Sequence, residues 1–144
     1  MRFVPPLVWT AAVLLLGSAY FGADHTSAAL APVLRELAPL VGLRTWELHA
    51  LVRKAAHVTE YALLAGLWFR ALSRRSAVTA SWIALCICLV CAFADEAHQS
   101  FVPNRTARAR DVVIDGVGAM AAVSLARRWR ERLDARALSA VRIA

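Results

Sequence analysis

The run from Ala77 to Ala94 carries no charged residue and then meets Asp95 and Glu96 side by side. An apolar stretch of that length reads as a helix across a bilayer, since a crossing needs about 20 residues. Three further segments share its character. Phe3–Ala23 is uncharged, Val52–Leu72 is apolar through its second half, and Val112–Ala126 is interrupted only by Asp115. The 144 residues are 60% hydrophobic with a mean hydropathy of +0.54. A soluble domain holds about 45–50% apolar residues. The expectation is an all-α fold: one domain over residues 1–144, a polytopic membrane protein with four transmembrane helices.

A secretory signal peptide would also fit a start of Arg2, an apolar run and the small residues Gly22 and Ala23. The run is long for that role and the rest of the chain is itself membranous, so a retained first helix is expected. Pro5 and Pro6 fall in its first turn, where proline is tolerated. In the connection from Asp24 to Leu51, Leu30, Val33, Leu34, Leu37 and Val41 recur at helical spacing. They predict a short amphipathic interfacial segment, kept short or kinked by Pro32 and Pro39, or else an ordinary loop. Phe101 to Asn104 reads as a turn. In the last run Gly116, Gly118 and Ala122 are small enough for a neighbouring helix to come close. Cys86, Cys88 and Cys91 form no usual metal or redox spacing and read as small hydrophobes.

The net charge of +7 invites a nucleic-acid reading, but the arginines sit at the ends of apolar runs and in a basic tail over 127–144. That is the pattern of topology signals and anionic-lipid contact, and no nucleic-acid partner is expected. Arg2, the Arg70–Arg75 loop and the tail alternate correctly for four helices with both termini in the cytoplasm. The tail is expected to lie against lipid headgroups.

That orientation brings three polar clusters to the outer end of the bundle. Lys54, His57, Glu60 and Tyr61 stand in the first turns of the second helix, where spacings of three and four residues put them on one face. Asp95, Glu96, His98 and Gln99 end the third helix. Asp95 pairs by spacing with His98 or with Gln99. Asp111 and Asp115 open the fourth. Arg53, Lys54, Arg105, Arg108 and Arg110 break the positive-inside rule at this end, which points to an anionic ligand. Polar groups at a bilayer edge are costly to desolvate and are by default candidates for function.

The segments K-A-A-H-V-T-E-Y-A-L-L-A-G-L, D-E-A-H-Q-S-F-V-P-N-R and R-D-V-V-I-D-G-V-G-A resemble the VanZ-like family of small bacterial membrane proteins, best over 53–122. The resemblance implies a four-helix protein of the bacterial inner membrane, and a link to resistance against the glycopeptide teicoplanin. The family pattern carries over at Lys54, His57, Glu60, Tyr61, Asp95, Glu96, Gln99, Pro103, Arg105, Asp111 and Gly118. Asn104 stands where the family usually has glycine. Asp115 stands where it usually has asparagine, which adds a negative charge.

Two chemistries suit these residues. Glu60, His57, Asp95 and Glu96 are the candidates for acid–base work on a lipid-linked or envelope substrate, with His57–Glu60 or Asp95–His98 as base and orienting partner. Alternatively the same groups bind an envelope component without turning it over, or only hold four helices in register. Arg105 and Lys54 would hold a phosphate or carboxylate. No H-E-x-x-H lies on one helix, so neither a metal nor a cofactor is expected.

Overall fold

The computed structural model describes residues 1–16, 23–101 and 109–143. The described residues form five α-helices: α1 (Val4–Leu16), α2 (Ala23–Leu40), α3 (Thr45–Ala71), α4 (Ala77–Gln99) and α5 (Ala109–Ile143). The predicted turn at 101–104 and the residues Arg105 and Arg108 fall largely or wholly within 102–108, outside the described residues.

Several expected boundaries are corrected. Of the first span expected over Phe3–Ala23, α1 accounts for 13 residues and Ala23 belongs to α2; residues 17–22 lie outside the described residues. The connection after it holds an 18-residue helix that runs through Pro32, longer than expected. Gly42, at φ 69°, ends it. The amide of Leu43 donates to the Ala38 carbonyl at 2.9 Å and that of Gly42 to the Pro39 carbonyl at 3.2 Å, a left-handed stop that glycine takes without steric cost. α2 buries Leu34 and Ala38 and leaves Val33 and Leu37 exposed, as is Val41 just past its end.

α3 begins seven residues earlier than expected, at Thr45 against Val52. The backbone amide of Arg44 donates to Glu47 Oε2 at 2.8 Å, so an otherwise orphaned group before the first turn is satisfied. α4 starts where Ser76 accepts from the Thr79 amide at 3.1 Å, the usual role of a serine N-cap. The tail continues α5 without a break, so the fourth helix is 35 residues long.

Each of the three central helices buries one stripe. On α4 it is Ala80, Ala84, Cys88, Cys91, Ala92, Asp95 and Gln99; on α5, Val112, Asp115, Ala119 and Val123; on α3, Tyr61, Leu64, Ala65 and Phe69. The outward faces hold the larger apolar side chains, including Trp82, Val90 and Phe93 of α4 and Val113, Val117 and Met120 of α5. Cys86 also faces outward, unlike Cys88 and Cys91. Small residues inside and large apolar ones outside suit a lipid environment, where close backbone approach drives helix association. Among the described residues one helix, α4, is both long and apolar enough to cross a membrane, with a mean hydropathy of 2.3 over its most apolar window.

α5 packs most extensively on α3 and then on α4, and α1 lies across α3 and α4. A side chain at Gly118 would stand 2.5 Å from the Val58 carbonyl oxygen and 3.1 Å from its Cα. α3 and α5 therefore touch backbone to backbone at this point. At Gly116 the nearest atom is Leu89 Cδ2 at 3.6 Å, an ordinary contact. Trp9 Nε1 donates to the Glu60 carbonyl at 3.0 Å and Trp68 Nε1 to Thr10 Oγ1 at 3.2 Å, which fixes α1 along α3.

Candidate functional site

The three buried stripes change chemistry at the same end of the bundle. Along α4, one helix face runs from Ala80 through Cys88 to Asp95 and Gln99, so its last two turns carry polar groups into positions that alanine and cysteine occupy earlier. Along α3 the face of Phe69 and Leu64 reaches Tyr61 and His57. Along α5 that of Val123 and Ala119 reaches Asp115. Packing α3, α4 and α5 together thus gathers His57, Glu60, Tyr61, Asp95, Gln99 and Asp115.

Asp115 is 1% exposed and Gln99 2% exposed; Asp95 and Glu96 are also buried. His57 and Glu60 are half-buried and open one side of the cluster. His57 Nδ1 lies 3.2 Å from Asp115 Oδ1, a link between α3 and α5 across 58 residues of sequence. Gln99 Nε2 donates to Asp95 Oδ2 at 2.6 Å, one helical turn away on α4. Glu60 lies within electrostatic reach of His57, Asp115 and Asp95. The Tyr61 hydroxyl is buried, feels the charges of Asp115 and Asp95, and finds no hydrogen-bond partner among the described residues.

Other expected site residues stand apart. Lys54 is exposed, one turn outward of His57, and Arg53 beside it is half-buried and close enough to influence His57. His98 is exposed whereas Asp95 is buried. Of the two partners that spacing offered Asp95, the bond observed comes from Gln99. Asp111 is half-buried in the first turn of α5, with Arg110 Nε at 3.9 Å. Arg105 lies outside the described residues. The His57–Asp115 pair was missed, since sequence spacing relates residues on one helix and says nothing of how two helices are turned toward each other.

A set of three acids and one imidazole in such a setting can exchange protons, bind a hydrogen-bonding ligand or tie helices together. Among the described residues no group of three or more His, Cys, Asp and Glu side chains is arranged to hold a metal ion.

The opposite end is basic. Arg130 Nη2 of α5 donates to the carbonyls of Ser73 at 3.0 Å and Arg75 at 2.9 Å, both in the loop between α3 and α4. Arg2 stacks 4.9 Å from the Phe3 ring centre, and Phe3 lies 6.3 Å from Trp68 near the end of α3. Arg2, the Arg70–Arg75 loop and the arginines around 127–132 therefore share one end, a bundle length from the acids.

The family model for VanZ/LLP1 matches residues 6–130. No curated protein and no solved structure matches the chain.

Proposed function

We propose, from the premise that this chain belongs to the VanZ/LLP1 family, that it is a bacterial inner-membrane protein which binds or modifies an anionic cell-envelope component at the outer face. The family and the apolar helix α4 both point to a membrane protein. The finer reading has four spans, with both termini and the basic end in the cytoplasm and the polar cluster at the external surface. The gathering of Arg2, Arg75 and Arg130 at one end supports that orientation under the positive-inside rule.

The observation that carries the reading is the half-open cluster itself. Asp95, Glu96, Gln99 and Asp115 are buried beside the accessible His57 and Glu60. Burying ions costs several kcal/mol each, and a cluster with one open side has a use for that cost. Arg105 and Lys54 would hold the anion, and Glu60 or His57 would handle a proton if there is turnover. The family resemblance extends this to glycopeptide resistance.

A second reading is favoured by the His57–Asp115 pair, which already joins α3 to α5: the cluster only keeps the helices in register. The two are separated by expressing Glu60→Gln and Arg105→Lys in a teicoplanin-susceptible bacterium. Ligand handling requires that each variant reach normal membrane levels, lose the resistance phenotype and lose the envelope lipids that copurify with the parent protein. Variants absent from the membrane would establish the structural reading. Assay of the purified protein for turnover of lipid-linked cell-wall precursors distinguishes enzyme from binder.

A further inference from the structure

We propose that His57 is the base of this site: Asp115 holds its Nδ1–H from inside the bundle, and Nε2 meets what enters from the open side as a proton acceptor. This rests on the reading of the cluster as an external ligand site and narrows that reading from binding to modification.

Three features of the pair carry it. The first is where the partner sits. Asp115 is 1% exposed and its Oδ1 lies 3.2 Å from His57 Nδ1, so one edge of the ring is fastened from within. The second is which group holds the proton. Ordinary imidazole and carboxyl groups titrate at about 6.5 and about 3.9, so a single proton shared between them rests on the ring. Nδ1 then donates and Asp115 accepts. The third is the opposite edge. The His57 side chain is 18% exposed, and among the described residues its hydrogen bond is the one at Nδ1. In the neutral ring Nε2 therefore keeps its lone pair on the open side. The charged groups within reach of the ring are Asp115 from α5 and Glu60 and Arg53 from α3. The role depends on the tautomer that Asp115 imposes and not on the sum of these charges.

A positioned base of this kind equips the site to hydrolyse a phosphate ester in the anionic component. Nε2 takes a proton from a water molecule as the water oxygen bonds to phosphorus. The bond from phosphorus to the leaving oxygen breaks, and that oxygen takes the proton back from Nε2. Nδ1–H stays with Asp115 throughout, which makes Asp115 a positioning residue.

The test uses the full chain, labelled with 15N at histidine and purified in a non-ionic detergent. NMR reads the tautomer of His57. Diethylpyrocarbonate acylates an unprotonated ring nitrogen, and mass spectrometry compares its rate at His57 with that at the exposed His98, at a pH where NMR shows both rings neutral. The expected result is the Nδ1–H tautomer, with His57 modified several-fold faster than His98 despite its smaller exposure. Acylation places positive charge on the ring, and the buried carboxylate behind it offsets that charge. Asp115→Asn should bring His57 to or below the rate of His98. In turnover of a lipid-linked cell-wall precursor, His57→Gln should lose at least about 100-fold. Free imidazole should restore part of the activity of His57→Ala, a rescue that lost helix packing would not allow. If Asp115→Asn is poorly folded, the tautomer and reactivity of the parent protein carry the comparison.

An Nε2–H tautomer of the neutral ring, or a His57 that reacts more slowly than His98, overturns the inference and leaves the ligand site standing. So does a parent protein that binds the precursor without turning it over, or a His57→Gln variant with full turnover. Absence of precursor binding by the parent overturns both the inference and the reading it rests on.

Discussion

Asp115 and His57 are the residues whose roles can be separated most cleanly. With Asp115 1% exposed and its Oδ1 3.2 Å from His57 Nδ1, removing His57 strands a carboxylate in a dry setting, and removing Asp115 leaves a half-buried imidazole without its partner. Loss of one member of such a pair costs about 3–5 kcal/mol. Asp115→Ala should therefore lower the thermal midpoint of the detergent-solubilised protein. The double variant His57→Ala with Asp115→Ala should be less destabilised than the sum of the singles, which a double-mutant cycle in thermal unfolding measures. The exchange His57→Asp with Asp115→His refines this. Restored stability without restored function means that the direction of the pair matters to a ligand, and restoration of both assigns it to helix packing. Lys54, His57, Glu60 and Tyr61 were predicted to share a face from spacing alone. The structure keeps the last three at the cluster and leaves Lys54 at its rim, because a helix face narrow enough to be buried admits fewer residues than one drawn on a wheel. Asp95 took Gln99 and left His98 exposed for the same reason: the buried stripe of Cys88, Ala92 and Asp95 continues to position 99, and 98 is turned about 100° from 99, toward the edge that Cys91 marks.

Between α3 and α5 the deciding contact is backbone on backbone. Gly116 and Gly118 looked equivalent as small residues in an apolar run; only their rotational setting tells them apart. Gly118→Ala puts a methyl carbon 2.5 Å from the Val58 carbonyl oxygen, and a helix backbone cannot yield locally as a side chain can. The expected outcome is a loss of about 1–3 kcal/mol, more for Gly118→Val, seen as a lower midpoint and as protease access to α5. Gly116→Ala should be neutral or slightly stabilising, because its nearest neighbour is a leucine methyl at 3.6 Å and alanine is the better helix former. Helix existence was legible from apolar runs, but helix ends were not. Apolarity marks the part of a helix that lipid or core surrounds, and α3 and α5 continue beyond it. The extension of α3 to Thr45 is held by the Arg44–Glu47 contact, a capping signal in W-E-L-H that hydropathy does not register. The stop of α2 at Gly42 is likewise a matter of one glycine in V-G-L.

At the scale of the molecule, Arg2, Arg75 and Arg130 gather at one end, and the buried acids lie at the other, where Arg53, Lys54 and Arg110 also stand. For a membrane protein that sorting sets orientation, because arginines are retained on the cytoplasmic side. Reporter fusions after Ser73 and at the C-terminus should score as cytoplasmic and a fusion after Gly42 as external. A C-terminal reporter on the outside would turn the acid cluster to the cytoplasm and end the external-ligand reading. This prediction concerns the whole chain, since no single helix carries it: among the described residues α4 alone is long and apolar enough to cross by itself.

Arg130 also bears on how the chain is made. Its two bonds reach carbonyls 57 and 55 positions earlier in the sequence. When Ser73 and Arg75 turn the chain from α3 into α4, the guanidinium that will fasten them has yet to be translated. Until then the turn has its own backbone bonds, from the Ser73 amide to the Arg70 carbonyl and from the Arg75 amide to the Leu72 carbonyl, and the clasp is added only once α5 has been made. A nascent chain halted before residue 130 would have the bend without the clasp.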